Sequence, residues 1–284
     1  MPELPRPART GPGARPGRLS PRMLGLLTAT TALVAVTAAG CAGTAAPRPA
    51  AAAAVTPAAY ASLQGAFTDA INEVLPSVVE IRTSSGLGSG VVFDSSGDIV
   101  TNAHVVGRAT RMQVIDSSSA EPLPATLVGV YRPDDLAVIR VSDAQRLRPA
   151  VFGNSGDLVA GDIVLAIGNP LGLDSSVTEG IVSAVERTVS EPASDGSAGA
   201  TLADTIQTSA AINPGNSGGA LATLDGTVVG IPTLAAVRQA GGAAPGIGFA
   251  IPSNIAVDIA RQLVARASGA TVDVPATPGE HPAG

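Results

Sequence analysis

Short apolar runs separated by glycine, serine, aspartate and proline dominate the middle of the chain. Runs of this length and spacing are typical of β-strands in a sandwich or barrel. They fall into two sets, which predict one β-barrel at about residues 77–145 and a second at about residues 160–252. The ten predicted strands lie at 78–81, 91–93, 98–100, 112–115, 125–130, 136–141, 163–167, 177–182, 228–231 and 247–251.

Helical periodicity is found on either side of this β-rich region. Leu63, Phe67, Ile71 and Val74 recur at helical spacing before Pro76 and predict a short helix at the start of the folded domain.

A second helix is predicted at residues 254–266, where it closes the domain. Ser253 is its expected N-cap, and Gly269 lies just beyond its end. Its apolar face consists of Ile255, Ile259 and Leu263. The fold class is therefore all-β, with a short N-terminal and a C-terminal helix.

The composition of the two ends differs from that of the folded domain at residues 63–266. The segment at residues 41–62 begins with a stretch that is mostly alanine, proline and threonine. This composition predicts a flexible tether. Residues 267–284 are rich in proline and glycine and are expected to form a disordered tail.

Residues 1–40 have the pattern of an export signal. Five arginines precede Met23, and an apolar run then ends at the small residues Ala38, Ala39 and Gly40. The run is shorter than the roughly 20 apolar residues of a spanning helix, which favours a cleaved signal over a permanent anchor. Either alternative places the folded domain outside the cytoplasm, in the cell envelope or secreted.

Cys41 is the only cysteine of the chain, so no intramolecular disulfide can form. The segment before it resembles a bacterial lipoprotein signal, in which the cysteine becomes the lipidated N-terminus at the outer face of the cytoplasmic membrane. Ala38 stands where such signals usually have leucine. The alternative is an incidental cysteine beside an ordinary cleavage site.

Charge and composition argue against two classes of function. After residue 40 the chain has 12 arginines against 22 acidic residues, and only 2% of all residues are aromatic. An acidic surface without aromatic side chains for stacking is unsuited to nucleic acid. Two distant histidines and one cysteine near the N-terminus do not make a zinc site, and no metal or other cofactor is expected.

Three separate elements can together form a hydrolytic site. His104 follows a predicted strand, whereas His281 lies in the tail. Asp135 precedes the apolar run at 136–141, and a buried aspartate can hold an imidazole in the correct tautomer. Taken singly, His104 could be a structural histidine and Asp135 part of an exposed turn.

Ser217 is the most specific of the three, because glycines lie close to it on both sides in residues 213–219. Glycines let such a loop turn tightly and bring backbone N–H groups together beside the serine Oγ. A glycine-rich turn without catalysis is the alternative, but it does not account for a histidine and an aspartate earlier in the chain.

The order and content of these motifs resemble the HtrA/Deg branch of the chymotrypsin-like serine proteases over roughly residues 63–265. The matching segments are 90–93, 101–106, 135–138, 207–208, 211–219 and 246–252. The resemblance implies a double antiparallel β-barrel, with His104 and Asp135 supplied by the first barrel and Ser217 by the second. It further implies an oxyanion hole formed by the N–H groups of Gly215 and Ser217, and a homotrimer.

The chain departs from the patterns of related proteases at two points. Family members often carry PDZ domains after the protease, and the residues after 266 are too few for one, so none is expected. Ala211 stands where trypsin-like enzymes have an acidic residue, which predicts an apolar pocket for the P1 residue of the substrate. The residues expected to line this pocket are Ala211, Ile212, Ile231, Thr233 and Gly248.

The sequence therefore predicts an exported serine endopeptidase that acts on unfolded polypeptides. The alternative is a catalytically silent or activator-dependent chaperone that binds polypeptides on the same scaffold.

Overall fold

Two closed, antiparallel, six-stranded barrels contain all twelve strands of the described part of the chain. The computed structural model describes residues 57–84, 86–119, 121–169, 176–191, 200–213, 215–237 and 243–269. The double antiparallel β-barrel that the sequence predicts is confirmed.

The first barrel has the strand order β1-β2-β3-β6-β5-β4. Its interior is filled by aliphatic side chains that alternate along the strands, among them Ile81, Ile99 and Ile139, which are fully buried. The strands are β1 Val78–Arg82, β2 Leu87–Val92, β3 Asp98–Asn102, β4 Arg111–Ile115, β5 Leu123–Tyr131 and β6 Leu136–Val141.

The second barrel has the order β10-β11-β12-β9-β8-β7. The strands are β7 Ile163–Gly168, β8 Ser176–Glu191, β9 Ala200–Thr208, β10 Ala220–Thr223, β11 Val228–Val237 and β12 Ala243–Pro252. Two of them, β9 and β10, are missing from the sequence prediction. They are built from alanine, threonine and other small or polar residues with few large apolar ones, so no apolar run marks them.

A shared apolar core joins the two barrels. It contains Val78 and Val100 from the first barrel, and Leu165, Ile167 and Ile231 from the second. Helix α1, Pro57–Val74, and helix α3, Ser253–Ala267, cover this core with buried alanines and with Leu263. A one-turn helix, α2 Ala103–Val106, follows β3.

The ends of the two long helices differ from the prediction. Helix α1 begins at Pro57, so the tether predicted to reach residue 62 is wrong for its last six residues. A proline is well suited to the first turn, because the N–H that it lacks would have no helical partner there.

No helix of the described residues is long and apolar enough to cross a membrane.

Ser253 does not cap α3 as predicted. The residue that precedes the helix is Pro252, and no side-chain cap is formed. The Ser253 hydroxyl instead donates to the carbonyl oxygen of Gly153 at 2.7 Å, which attaches the helix to the segment between the barrels. Gly269 has a φ of 77° just after the helix, as its predicted position requires.

The Asp98–Arg140 ion pair of the first barrel has a buried carboxylate and a partly exposed guanidinium. Asp98 on β3 is fully buried and lies opposite Arg140 on β6, which donates to it through Nε at 2.7 Å and Nη2 at 2.6 Å. We expect Arg140→Met to lower the free energy of unfolding by about 3 kcal/mol, because it leaves a buried carboxylate unpaired. Urea denaturation measures this loss.

Arg261→Met is the matched control, because Arg261 is exposed and forms no ion pair among the described residues. It should change the free energy of unfolding by less than about 0.5 kcal/mol. Equal losses in the two variants would contradict a stabilising role for the Asp98–Arg140 pair.

Candidate active site

His104 lies on the one-turn helix α2, directly after strand β3. The start of this turn is tied to the backbone of Asp135, whose carbonyl oxygen accepts from Ala103 N at 2.9 Å and from Asn102 Nδ2 at 3.1 Å. The His104 side chain keeps 28% of its surface exposed. The imidazole is therefore held at the edge of the first barrel with access to solvent.

Asp135 has the left-handed conformation, with φ 50° and ψ 39°, between a 3₁₀ turn at Arg132–Asp134 and strand β6. This conformation is uncommon for residues other than glycine but is tolerated by aspartate. Oδ1 accepts the backbone N–H of His104 at 2.9 Å, and Oδ2 lies 2.7 Å from His104 Nδ1. A carboxylate acceptor at Nδ1 favours the tautomer that carries its proton on that nitrogen.

A third donor reaches the same carboxylate from the second barrel. Thr233 on β11 donates through Oγ1 to Asp135 Oδ2 at 2.6 Å. Asp135 is only 4% exposed, so these donors compensate for its lost hydration.

Ser217 lies in the loop between β9 and β10. Its Oγ donates to the Thr233 carbonyl oxygen at 3.3 Å, so the serine and the Asp135–His104 pair contact the same residue of β11. Gly215 and Gly218 have φ values of 104° and 82°, which are accessible to glycine with little strain. The glycines singled out in the sequence are thus those that the loop requires.

The backbone N–H groups of Gly215 and Ser217 form no hydrogen bond among the described residues. Neighbouring N–H groups of the loop are occupied, since Asn216 N donates to Asn213 O at 3.0 Å and Gly218 N donates to Pro232 O at 2.9 Å. Gly215 and Ser217 are thus the residues of 215–218 whose N–H groups have no acceptor within the described part of the chain.

The residues predicted to line the P1 pocket have different positions. Ile212 and Gly248 are close together, because a Cβ on Gly248 would lie 2.4 Å from Ile212 Cγ1. Ala211 is exposed, and its carbonyl oxygen accepts from Thr178 Oγ1 at 2.8 Å and from Asn216 Nδ2 at 3.3 Å.

Two of the pocket predictions are wrong. Ile231 has no exposed surface and belongs to the core between the barrels, so it cannot contact a substrate. The Thr233 side chain is buried against Asp135 rather than facing a pocket. Both residues lie on β11. Successive side chains of a strand point to opposite faces, so a residue close to the site in the sequence can still point into the core.

Asn102 and Thr233 orient Asp135, and the sequence analysis predicts neither role. The one sequence signal for Asn102 is its position two residues before His104. No local pattern marks Thr233, because its contact joins residues 98 positions apart.

Cys41 and His281 lie outside the described residues, as do the predicted signal segment and most of the tail. Within the described part of the chain, no group of three histidine, cysteine or acidic side chains is arranged to hold a metal ion.

Comparison with known proteins gives consistent matches. A family model described as a trypsin-like peptidase domain matches residues 88–231. The chain is 47% identical over 189 residues to the serine protease Do-like HtrA of Bacillus subtilis, covering 65% of this chain and 40% of that protein. It is 39% identical over 232 residues to the serine protease PepD of Mycobacterium tuberculosis, covering 75% and 50%. The chain thus spans half or less of the length of these curated relatives.

Solved structures agree with the sequence matches. The HtrA-type protease AlgW with a decapeptide has a TM-score of 0.60 and 31% identity, with coverage of 71% of this chain and 68% of that one. AlgW with a tripeptide has a TM-score of 0.62 and 37% identity, with coverage of 70% and 64%.

Asp134, next to Asp135, is an unfavourably placed acid. Burial, and secondarily the Asp204 carboxylate on β9, raise the pKa of Asp134 above its ordinary value of 3.8. Below 3.8 the group is protonated in the folded and unfolded states alike. Between 3.8 and the raised pKa the folded state holds more protons, so stability falls as the pH rises through this window, and the full cost remains above it.

Asp134→Asn should therefore raise the free energy of unfolding at pH 7, by about 0.2–1 kcal/mol, and have little effect near pH 3.5. Urea denaturation at both pH values measures the difference. Asp143→Asn, at an exposed position, is the matched control and should be neutral at both. A stabilisation that is equal at pH 3.5 and pH 7 would contradict the assignment.

Proposed function

The chain belongs to the trypsin-like peptidase family, in its HtrA branch, and we propose that it is a serine endopeptidase with Ser217 as nucleophile, His104 as general base and Asp135 as the residue that orients His104. One observation carries this proposal: the Asp135 carboxylate bonds both the ring and the backbone of His104, and Thr233 links that carboxylate to the Ser217 hydroxyl.

In the proposed reaction, His104 Nε2 removes the proton of Ser217 Oγ while Oγ attacks the carbonyl carbon of the scissile peptide bond. The proton passes from His104 to the leaving amine, which departs and leaves an acyl-enzyme on Ser217. Water then hydrolyses the ester with His104 again acting as base. Asp135 stabilises the imidazolium in both halves of the reaction.

The N–H groups of Gly215 and Ser217 are the proposed oxyanion hole. Each is without a protein acceptor in the described part of the chain, and they flank a single residue, Asn216. Donors fixed beside the developing negative charge stabilise the transition state more than the substrate. No cofactor enters this mechanism.

Ser217→Ala should lower kcat about 10⁶-fold, because no other group can form the acyl-enzyme. The protein comprising residues 57–284 is compared with its Ser217→Ala variant. Digestion of unfolded casein measures the loss of turnover, and labelling by a fluorophosphonate measures the loss of the activated serine. Ser95→Ala, at an exposed turn, is the control and should match the wild type. No labelling of folded wild type, even with added activator peptides, would favour the silent chaperone.

The proposed P1 pocket is apolar and small. Ile212 is 6% exposed and lies against Gly248, where a Cβ would come within 2.4 Å of Ile212 Cγ1. Neither residue carries a charge, and the close contact leaves little room for a large side chain. A site of this kind favours small or medium aliphatic P1 side chains over arginine or lysine, whose charge would be desolvated without a partner.

Two peptides that differ only at P1 test this specificity. We expect kcat/KM for a valine peptide to exceed that for the arginine peptide by about 10²-fold or more, the size of one unfavourable buried group. Faster cleavage of the arginine peptide would contradict an apolar pocket.

The substrates are proposed to be unfolded polypeptides of the cell envelope. Solved relatives of the HtrA type carry a tripeptide or a decapeptide, and several relatives are named periplasmic proteases. These names support export of this chain, together with the basic and apolar segment before residue 41. A homotrimer is proposed from the family resemblance, and the sedimentation mass tests it.

Attachment to the membrane through lipidated Cys41 is the proposed form of anchoring. In a bacterial host that processes lipoproteins, the full chain should partition into detergent phase, and Cys41→Ser should abolish both lipid labelling and partitioning. A cleaved, unlabelled wild-type protein in the soluble fraction would instead support ordinary secretion.

A further inference from the structure

We propose that Ser89, on strand β2 of the first barrel, is a positioning residue that holds the nucleophile loop of the second barrel, residues 213–219, in its working shape. This inference rests on the proposed function. Ser89 is fully buried and does not belong to the groups that react.

All three polar groups of Ser89 are engaged, and two of them bond the nucleophile loop. The hydroxyl donates to the Gly215 carbonyl oxygen at 2.5 Å, and the backbone N–H donates to the Ser217 carbonyl oxygen at 3.0 Å. The Ser89 carbonyl oxygen accepts from Thr101 Oγ1 at 2.6 Å. Pairing between β2 and β3 is found at Val91 and Val92, so the edge of β2 at Ser89 is open to the loop.

These bonds fix two peptide units of the loop at both ends. The Gly215–Asn216 unit has its carbonyl bonded to Ser89 Oγ and its N–H bonded to Asn213 O. The Ser217–Gly218 unit has its carbonyl bonded to Ser89 N and its N–H bonded to Pro232 O. Because a peptide unit is planar, holding both ends sets its orientation.

The proposed oxyanion donors adjoin these two fixed units. The N–H of Gly215 precedes the first unit, and the N–H of Ser217 lies between the two. Rotation of the Gly215–Asn216 unit changes ψ of Gly215 and φ of Asn216, which are two of the angles that set the direction of one donor relative to the other. The Ser89 hydroxyl is the side-chain group that opposes this rotation from the other barrel.

The close approach of the loop to β2 is built into the sequence. A Cβ on Gly218 would lie 2.3 Å from Ser89 O and 2.4 Å from Thr101 Oγ1, so only glycine allows the contact. Ser89 itself stands between Gly88 and Gly90, where a Cβ would collide with Val105 or Ile99.

The same hydroxyl also accepts the backbone N–H of Asn169, just after β7, at 2.8 Å. One buried side chain thus joins β2, the end of β7 and the nucleophile loop. Its removal leaves a donor and an acceptor of the second barrel unpaired together, which favours a new loop geometry over the present one.

Ser89→Ala is expected to lower kcat by about 10- to 100-fold, at or below the cost of removing an oxyanion donor, while KM changes less than about threefold. Affinity for a peptide boronic acid, which forms a tetrahedral adduct, should fall in parallel with kcat. Affinity for the cleaved product peptide should not fall.

Ser253→Ala is the matched control, because Ser253 is also a fully buried serine whose hydroxyl donates to a backbone carbonyl, that of Gly153, which is not part of the loop. It should lose stability without losing kcat when both variants are folded. Wild-type kcat in Ser89→Ala, or an equal loss of kcat in Ser253→Ala, would overturn the proposal. If Ser89→Ala does not fold, Ser89→Cys, a weaker donor of similar size, takes its place. Its kcat should fall by less than the loss predicted for Ser89→Ala, and an unchanged kcat would overturn the proposal.

Hydrogen exchange separates this proposal from the proposed function. In Ser89→Ala the amides of Asn216 and Gly218 should exchange at least about tenfold faster than in wild type, and in Ser253→Ala they should not. This readout needs no turnover, so an inert wild type would refute the protease while leaving the loop test intact. Unchanged exchange in Ser89→Ala would overturn the positioning role.

Discussion

The buried carboxylate of Asp135 accepts hydrogen bonds from both barrels, and the geometry of the site depends on it. His104 reaches it through a ring nitrogen and a backbone N–H of the first barrel, and Thr233 reaches it from β11 of the second. A carboxylate that is 4% exposed is costly without such donors. All of these hydrogen bonds can form only when His104 is correctly placed and the two barrels are correctly docked.

Division of the reacting groups between two barrels creates a requirement for precise contact between them. The shared core of Val78, Val100, Leu165 and Ile167 stabilises the contact between the barrels. It does little to fix their relative orientation, because apolar contact is not directional. Hydrogen bonds across the interface supply the orientation. Thr233 holds the aspartate of the opposite barrel, and Ser89 holds the nucleophile loop of the opposite barrel.

The sequence predicts the fold well where apolar runs and local motifs carry the information. Ten strands, the two long helices and the glycine-rich turn at Ser217 follow from short-range patterns. Strands β9 and β10 do not, because small and polar residues form them and their pairing is decided by neighbours distant in the chain. The sequence also does not predict that Ile231 and Thr233 point away from a pocket, because the directions of their side chains on β11 depend on what packs against that strand.

The structure of a covalent fluorophosphonate adduct tests the central claim most directly. We expect phosphorus to be bonded to Ser217 Oγ and a phosphoryl oxygen to lie about 2.7–3.1 Å from the N atoms of both Gly215 and Ser217. His104 should remain bonded to Asp135 in that adduct. A phosphoryl oxygen directed away from these two N–H groups, or an adduct on another residue, would contradict it.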